Sequence, residues 1–132
     1  MRILVVEDEP RVGTLARRVL EGEGCTVDVV ESAGAALTAL RDERHEYDVV
    51  IIDRVLPDAS GDEIAGEVAA LFPRSGVVLT SGRAATRRPF HDVWLAKPYW
   101  PADLVRAVSA ALIARSLRLH GRPRDDPSAP SS

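Results

Sequence analysis

The run Val49-Val50-Ile51-Ile52, followed at once by Asp53, constrains this chain more than any other stretch. Four consecutive β-branched aliphatic residues show no polar alternation, so they read as a strand buried on both faces, the pattern of a central parallel strand. Pro57 and Gly61 cannot extend that strand, so the chain must turn and restart as a helix. Asp53 is thereby left at the carboxyl edge of the sheet, where open α/β folds keep their chemistry. Taken alone, an aspartate that ends a strand is more often a turn or cap residue than a reactive one. Three other stretches change that reading.

Ile3-Leu4-Val5-Val6 is a second aliphatic run, ending in Glu7-Asp8-Glu9 and then Pro10, which suits the first turn of a helix. Val12, Leu15, Ala16, Val19 and Leu20 follow at helical spacing until Gly22 and Gly24 stop it. Thr26 to Val30 reads as a strand, and Ser32 as the N-cap of a helix carrying Ala33, Ala36, Leu37 and Leu40 on one side. Ile64, Val68, Leu71 and Phe72 mark a third helix closed by Pro73, and Val77-Val78-Leu79 a strand ending at Thr80-Ser81-Gly82. The connection Arg83-Ala84-Ala85-Thr86-Arg87-Arg88 has room for about two helical turns before Pro89, so a fourth helical segment is shortened or irregular. Asp92 to Ala96 is the last strand, Lys97-Pro98 ends it, and Pro101 opens a helix with Leu104, Val105, Val108, Ala111 and Leu112 inside. Alternating strands and helices of this kind predict an α/β fold, a doubly wound five-stranded parallel sheet with right-handed crossovers.

Apolar residues make up 45% of the 132, enough for one core. A net charge of -3 and a pI near 5.6 give no basic field that would draw nucleic acid or an anionic membrane. The single cysteine, Cys25, excludes an internal disulfide, fits a reducing compartment, and is expected as a small buried apolar residue opening the second strand. Met1-Arg2 leads into only four apolar residues before Glu7, which is not a signal peptide, so a soluble cytoplasmic protein is expected. From Leu119 the composition turns to Gly, Pro, Ser, Arg and Asp. Residues 1–118 are therefore expected to be one domain and 119–132 a flexible tail with no output domain beyond it.

In a doubly wound sheet the loops after strands 1, 3, 4 and 5 share one edge, and here they carry Glu7 and Asp8, Asp53, Thr80 and Lys97. Three carboxylates at one edge repel unless a cation sits among them or one stays protonated. An all-oxygen cluster suits a hard divalent ion, so Mg²⁺ is expected, with Asp8 and Asp53 as ligands. Glu9 is read as an acidic first-turn residue favoured by the helix dipole. Lys97 is the only lysine beside sixteen arginines, so its position calls for a slim point charge rather than a planar fork. A nucleophilic aspartate, a Mg²⁺ site, an ammonium and the Thr80 hydroxyl form the set that stabilises a transferring phosphoryl group, with an aspartyl phosphate as product.

These residues resemble the receiver domain of two-component response regulators, from Arg2 to about Arg115. The likeness is carried by Ile3 to Pro10, by Asp53 with Pro57 and Gly61, by Leu79-Thr80-Ser81-Gly82, and by Lys97-Pro98-Tyr99. It implies the flavodoxin-like strand order 2-1-3-4-5, with Asp53 as the phosphoacceptor served by a sensor histidine kinase or histidine phosphotransfer protein. It also implies that Asp8 binds Mg²⁺ directly, that Glu7 acts on it through water, and that the Val55 backbone carbonyl completes the set. Thr80 and Lys97 would contact the phosphoryl group, and Trp94 falls at an aromatic switch position coupled to Thr80. The protein would then be a stand-alone phosphorelay switch acting through a downstream protein partner, catalysing only its own phosphorylation and dephosphorylation, without direct nucleic-acid or membrane binding.

Three features depart from the family pattern. The run from Thr80 to Lys97 is about one helical turn short, Trp94 is bulkier than the usual tyrosine or phenylalanine, and Arg54 places a cation next to Asp53. Arg54 is expected either to engage the partner or change the phosphoryl lifetime, or else to be a solvated loop residue. Arg83, Arg87 and Arg88 are expected as a solvated face, with a docking patch for an acidic partner as the alternative. His45, His91 and His120 share no metal-ligand spacing. The rival functions are a degenerate receiver acting as an unphosphorylated adaptor, a phosphate sink, and a haloacid-dehalogenase-like phosphatase. The last needs an acid two residues after the nucleophile, where Val55 stands. A dinucleotide site lacks its glycine-rich turn after strand 1.

Overall fold

The computed structural model describes residues 1–82 and 91–121. Its elements run β1 (Arg2–Val6), α1 (Pro10–Gly22), β2 (Thr26–Val30), α2 (Ala33–Arg41), β3 (Val49–Asp53), α3 (Gly61–Leu71), β4 (Gly76–Ser81), β5 (Val93–Ala96) and α4 (Pro101–His120). The strands form one five-stranded sheet in the order β2-β1-β3-β4-β5, every pair parallel. This is the flavodoxin-like order expected from the sequence.

Strand periodicity divides the core. Leu4, Val6, Val50, Ile52, Val77 and Leu79 face one side, where Ala33, Ala36 and Leu40 of α2 and Ile64, Ala65 and Val68 of α3 cover them. Ile3, Val5, Val49, Ile51 and Val78 face the other, covered by Ala16 and Leu20 of α1 and Leu104, Ala107, Val108 and Ala111 of α4. All five residues of β3 are buried, which is why its sequence shows no polar alternation. Burying one such aliphatic side chain is worth roughly 1.5–3 kcal/mol, so the inner strands fix the register of the sheet far more strongly than any single loop contact. At the edge, β5 buries only Leu95.

Helix ends follow local rules. Pro10 and Pro101 occupy the first turns of α1 and α4, where a missing N–H is harmless. Ser32 Oγ accepts from Ala35 N at 3.1 Å and caps α2 as expected. Ser60 and Glu63 form a capping box on α3. Gly24 ends the α1 turn at φ +88°, a left-handed conformation that favours glycine.

Several expectations shift. Leu15 and Leu71, placed inside by helical spacing, are 47% and 57% exposed. Their sequence neighbours Ala16 and Phe72, from the same apolar sets, do pack against the two cores, while Leu71 is the last residue of α3. Cys25 precedes β2 rather than opening it and is only half-buried. α4 runs on through Leu119 to His120, and positions 122–132 of the expected tail lie outside the described residues. Arg115 and Arg118 near the end of α4 hold it to the bottom of the sheet: Arg115 Nη1 donates to Asp48 Oδ1 at 3.1 Å and Arg118 pairs with Asp92. The expected short fourth helical segment, with Arg83, Arg87 and Arg88, lies outside the described residues. Among the described residues no helix is long and apolar enough to cross a membrane.

Beneath the sheet Tyr47, 4% exposed, donates its hydroxyl to Asp28 Oδ2 at 2.7 Å, and Arg2 Nη1 donates to the same oxygen at 3.0 Å. Burial and the Asp28 hydrogen bond push the Tyr47 phenol up to about 12, and the Tyr47 hydroxyl is the main cause that holds Asp28 below the ordinary 3.8. Tyr47→Phe is expected to lower stability by about 1 kcal/mol in denaturant titrations near neutral pH. Because the Asp28 carboxyl is depressed in the fold, its contribution is present above 3.8 and fades as pH falls below it. The gap between wild type and variant should therefore narrow in acid. It should narrow again between pH 10 and about 12, where the raised Tyr47 phenol ionises.

Candidate functional site

Strand ends bring the predicted residues together. β1 stops at Val6 and delivers Glu7 and Asp8, β3 ends on Asp53, Thr80 of β4 is the direct register partner of Asp53, and Lys97 follows β5. Ligand oxygens of Glu7, Asp8 and Asp53 all lie within 4.8 Å of one another. The Lys97 ammonium reaches between two of them, 2.8 Å from Glu7 Oε1 and 3.3 Å from Asp53 Oδ2. Lys97 precedes a cis peptide to Pro98, and its own N–H donates to Ser81 O at 2.8 Å.

Glu7 and Asp53 are 4% and 8% exposed, while Asp8 faces solvent. Burial raises the Glu7 carboxyl above its usual range; the Lys97 hydrogen bond opposes that shift and the nearby Asp53 charge adds to it. Burial alone would lower the Lys97 ammonium, but the hydrogen bond and charge of Glu7, with the Asp53 charge, hold it above its ordinary value. Three carboxylates and one ammonium leave two net negative charges, the amount a divalent ion cancels. An all-oxygen donor set with two buried members and one open to water fits Mg²⁺, which keeps several waters.

The segment after Asp53 is tightly folded. Val55 N donates to Asp53 Oδ1 at 3.2 Å, Gly61 N donates to Arg54 O at 2.7 Å, and Val55 and Ser60 form an isolated antiparallel bridge. A Cβ on Gly61 would stand 2.3 Å from Asp53 O and 2.6 Å from Arg54 Cα, so any side chain there pushes the strand end aside. Gly61 is thus part of what places Asp53, beyond its expected role of ending the strand.

Arg54 lines the same cavity as Asp53, a space of about 550 Å³ bounded also by Val55, Ser60, Asp62, Ser81 and Gly82. Its Nε donates to Asp62 Oδ2 at 3.0 Å. Asp62 stands in the first turn of α3 and was not singled out in the sequence, because no spacing rule pairs it with Arg54. Thr80 is buried at 2% exposure. Trp94 is 37% exposed and lines an outer groove with Arg106, Ala107 and Ala110; its register neighbour is Leu79, and Thr80 lies beside Leu95. Tyr99, quoted in the sequence motif without a role, is half-buried and lines a cavity with Lys97 and Pro98. Burial is the main cause that raises its phenol, with the charge of Glu7 next. None of the three histidines joins a metal-ligating group among the described residues.

Residues 3–109 match the response regulator receiver domain family. The chain is 36% identical over 124 residues to an uncharacterized 14.6 kDa protein of Leptolyngbya boryana, covering 86% of this chain and 92% of that one. It is 35% identical over 116 residues to the transcriptional regulatory protein CutR of Streptomyces coelicolor, covering 83% of this chain but only 52% of CutR, so it spans about half the length of that relative. Among solved structures it is similar to the response regulator TrrA of Thermotoga maritima in complex with Mg²⁺-BeF, at TM-score 0.74 and 30% identity, covering 84% of this chain and 98% of that one. The match over most of its length shows that this chain belongs to the receiver domain family of response regulators.

Proposed function

We propose that the chain is a Mg²⁺-dependent phosphorelay switch in which Asp53 accepts a phosphoryl group from a phosphohistidine on a sensor kinase or phosphotransfer protein. The observation that carries this reading is the Lys97 ammonium held 2.8 Å from Glu7 and 3.3 Å from Asp53, with Asp8 in the same carboxylate group. Receiver domains are signalling modules that interact with histidine kinases, and TrrA, a structural relative, is solved with Mg²⁺-BeF.

An Asp53 carboxylate oxygen attacks phosphorus, the P–N bond to the donor imidazole breaks, and the imidazole nitrogen takes a proton from solvent. Asp8 and Asp53, with the Val55 carbonyl, would hold Mg²⁺ directly, and Glu7 would act on it through water. Held by these residues, Mg²⁺ would supply positive charge against the oxygens of the transferring phosphoryl group. Lys97 moves its pairing toward that group, and the Thr80 hydroxyl contacts it from the neighbouring strand. Hydrolysis breaks the O–P bond of the aspartyl phosphate: water attacks phosphorus and gives up a proton to solvent, inorganic phosphate forms, and the Asp53 carboxylate leaves restored. The added charge at Asp53 biases the surrounding loops, and a downstream protein reads the change. Trp94 stands partly outside the core, so it contributes to that surface before any inward turn.

Incubating the full chain with Mg²⁺ and a small phosphodonor should add a phosphate-sized mass to wild type and none to Asp53→Asn, read by intact-mass spectrometry. Gain on the Asn variant, or none on either, rejects Asp53 as acceptor. Arg54 adds a cation to the wall of the cavity beside Asp53, paired with Asp62. Arg54→Ala is expected to slow uptake from an anionic small donor roughly threefold, an effect that shrinks with added salt because the pair is solvent-accessible. Unchanged uptake and hydrolysis rates would leave Arg54 as an ordinary loop residue.

A further inference from the structure

The loop that carries Asp53 is tied to a helix that contributes nothing to the carboxylate cluster. Its base is closed by Gly61 N on Arg54 O, and Leu56, 8% exposed, anchors its middle in the core shared by α2 and α3. Its tip crosses to the start of α2. There Asp58 Oδ1 accepts from Ala33 N at 2.9 Å and Oδ2 accepts from Gly34 N at 3.0 Å. Ser32 takes the next two donors, Ala35 N on its hydroxyl at 3.1 Å and Ala36 N on its carbonyl at 3.0 Å. Ala36 N thereby makes the first bond within the helix, and the three amides ahead of it, of Ala33, Gly34 and Ala35, are all satisfied by side chains, two of them by a carboxylate more than twenty residues away.

One local cap is the ordinary arrangement for a helix start, and Ser32 already supplies it. A second, remote acceptor that grips two adjacent N–H groups at once fixes orientation as well as distance. The Asp58 carboxyl lies below its usual range because of the bonds from Gly34 and Ala33, consistent with a carboxylate that stays ionised on the positive end of α2. Both bonds are near the surface, so their weight in overall stability is modest. Their geometric effect is larger. Between the closed base and the anchored tip lie Val55, Leu56 and Pro57, and the backbone there has little freedom left.

We propose that Asp58 is a positioning residue for the metal site: by clamping the loop tip to Ala33 and Gly34 it holds the Val55 backbone where its carbonyl completes the Asp8 and Asp53 ligand set, and it makes the start of α2 respond to occupancy of that site. This rests on the metal site described under the proposed function. The clamp acts through the loop, touching neither ion nor phosphoryl group.

The test titrates Mg²⁺ alone into the isotope-labelled full chain and follows backbone amide resonances, with no phosphodonor present. In wild type the Ala33 and Gly34 signals should move along the same saturation curve as those of Arg54 and Val55. Asp58→Ala should raise the half-saturating Mg²⁺ concentration roughly tenfold, the scale seen when residues that orient metal ligands are removed, and leave Ala33 and Gly34 still. Asp58→Asn keeps one acceptor oxygen and should fall between. Ser32→Ala, which weakens the same helix start without releasing the loop, should lower the melting temperature yet leave half-saturation unchanged. The inference is overturned if Asp58→Ala binds like wild type, if Ser32→Ala weakens binding as much as Asp58→Ala, or if Ala33 and Gly34 are silent in wild type. Should Asp58→Ala not fold, unchanged half-saturation in Asp58→Asn overturns it equally. Absence of any saturable shift in wild type instead rejects the metal site itself, and the clamp with it.

Discussion

The contact on which the rest depends is the Lys97 ammonium between the carboxylates of Glu7 and Asp53. Two acids that are more than nine-tenths buried at the edge of an aliphatic sheet would otherwise repel each other with little water to screen them. One ammonium offsets part of that repulsion and leaves a net charge suited to a divalent ion. In the proposed switch the same ammonium serves a phosphoryl group arriving at Asp53. A cluster that is electrostatically incomplete when empty is well matched to ligands that complete it.

The fold supplies this cluster through its parallel strands. Glu7, Asp53, Thr80 and Lys97 each follow or end a different strand, and parallel pairing sends all those ends to one side. The aliphatic interior of β1, β3 and β4 sets the register to within one residue, since a slip would turn the whole alternating set toward the wrong helices. Precision beyond that comes from the loop after Asp53. Gly61 permits an approach no side chain allows, and Asp58 holds the far end on α2. Rigid strands and a doubly anchored loop are what a site needs if it is to hold three ligands in fixed relation.

The outer surface is less settled by these constraints. β5 is an edge strand with one buried residue, and Trp94 stands in an outer groove beside Arg106. The chain matches the receiver family through residue 109, while α4 continues to His120 and is clamped by Arg115 and Arg118. Those two arginines hold the bottom of the sheet, opposite the carboxylate cluster, so the last turns of α4 stabilise the frame without entering the site.

The amino-acid sequence by itself determined the class of fold and the gathering of Glu7, Asp8, Asp53, Thr80 and Lys97 at one edge of the sheet. Aliphatic runs that end in Glu7-Asp8, in Asp53, in Thr80 and ahead of Lys97 are local patterns, and parallel topology follows from their alternation with helices. Ser32 as a cap and Pro10 and Pro101 as helix starts were legible for the same reason, since each acts within its own turn. Only the tertiary structure decided what depends on distance across the chain. That Arg54 meets Asp62, that Asp58 caps α2, that Lys97 bridges two acids, and that Leu15 and Leu71 face water are outcomes of packing between elements. Periodicity and capping rules report which side of an element is apolar and where it begins; they carry no information about which remote residue arrives there, because that is fixed by how the helices settle on the two faces of the sheet.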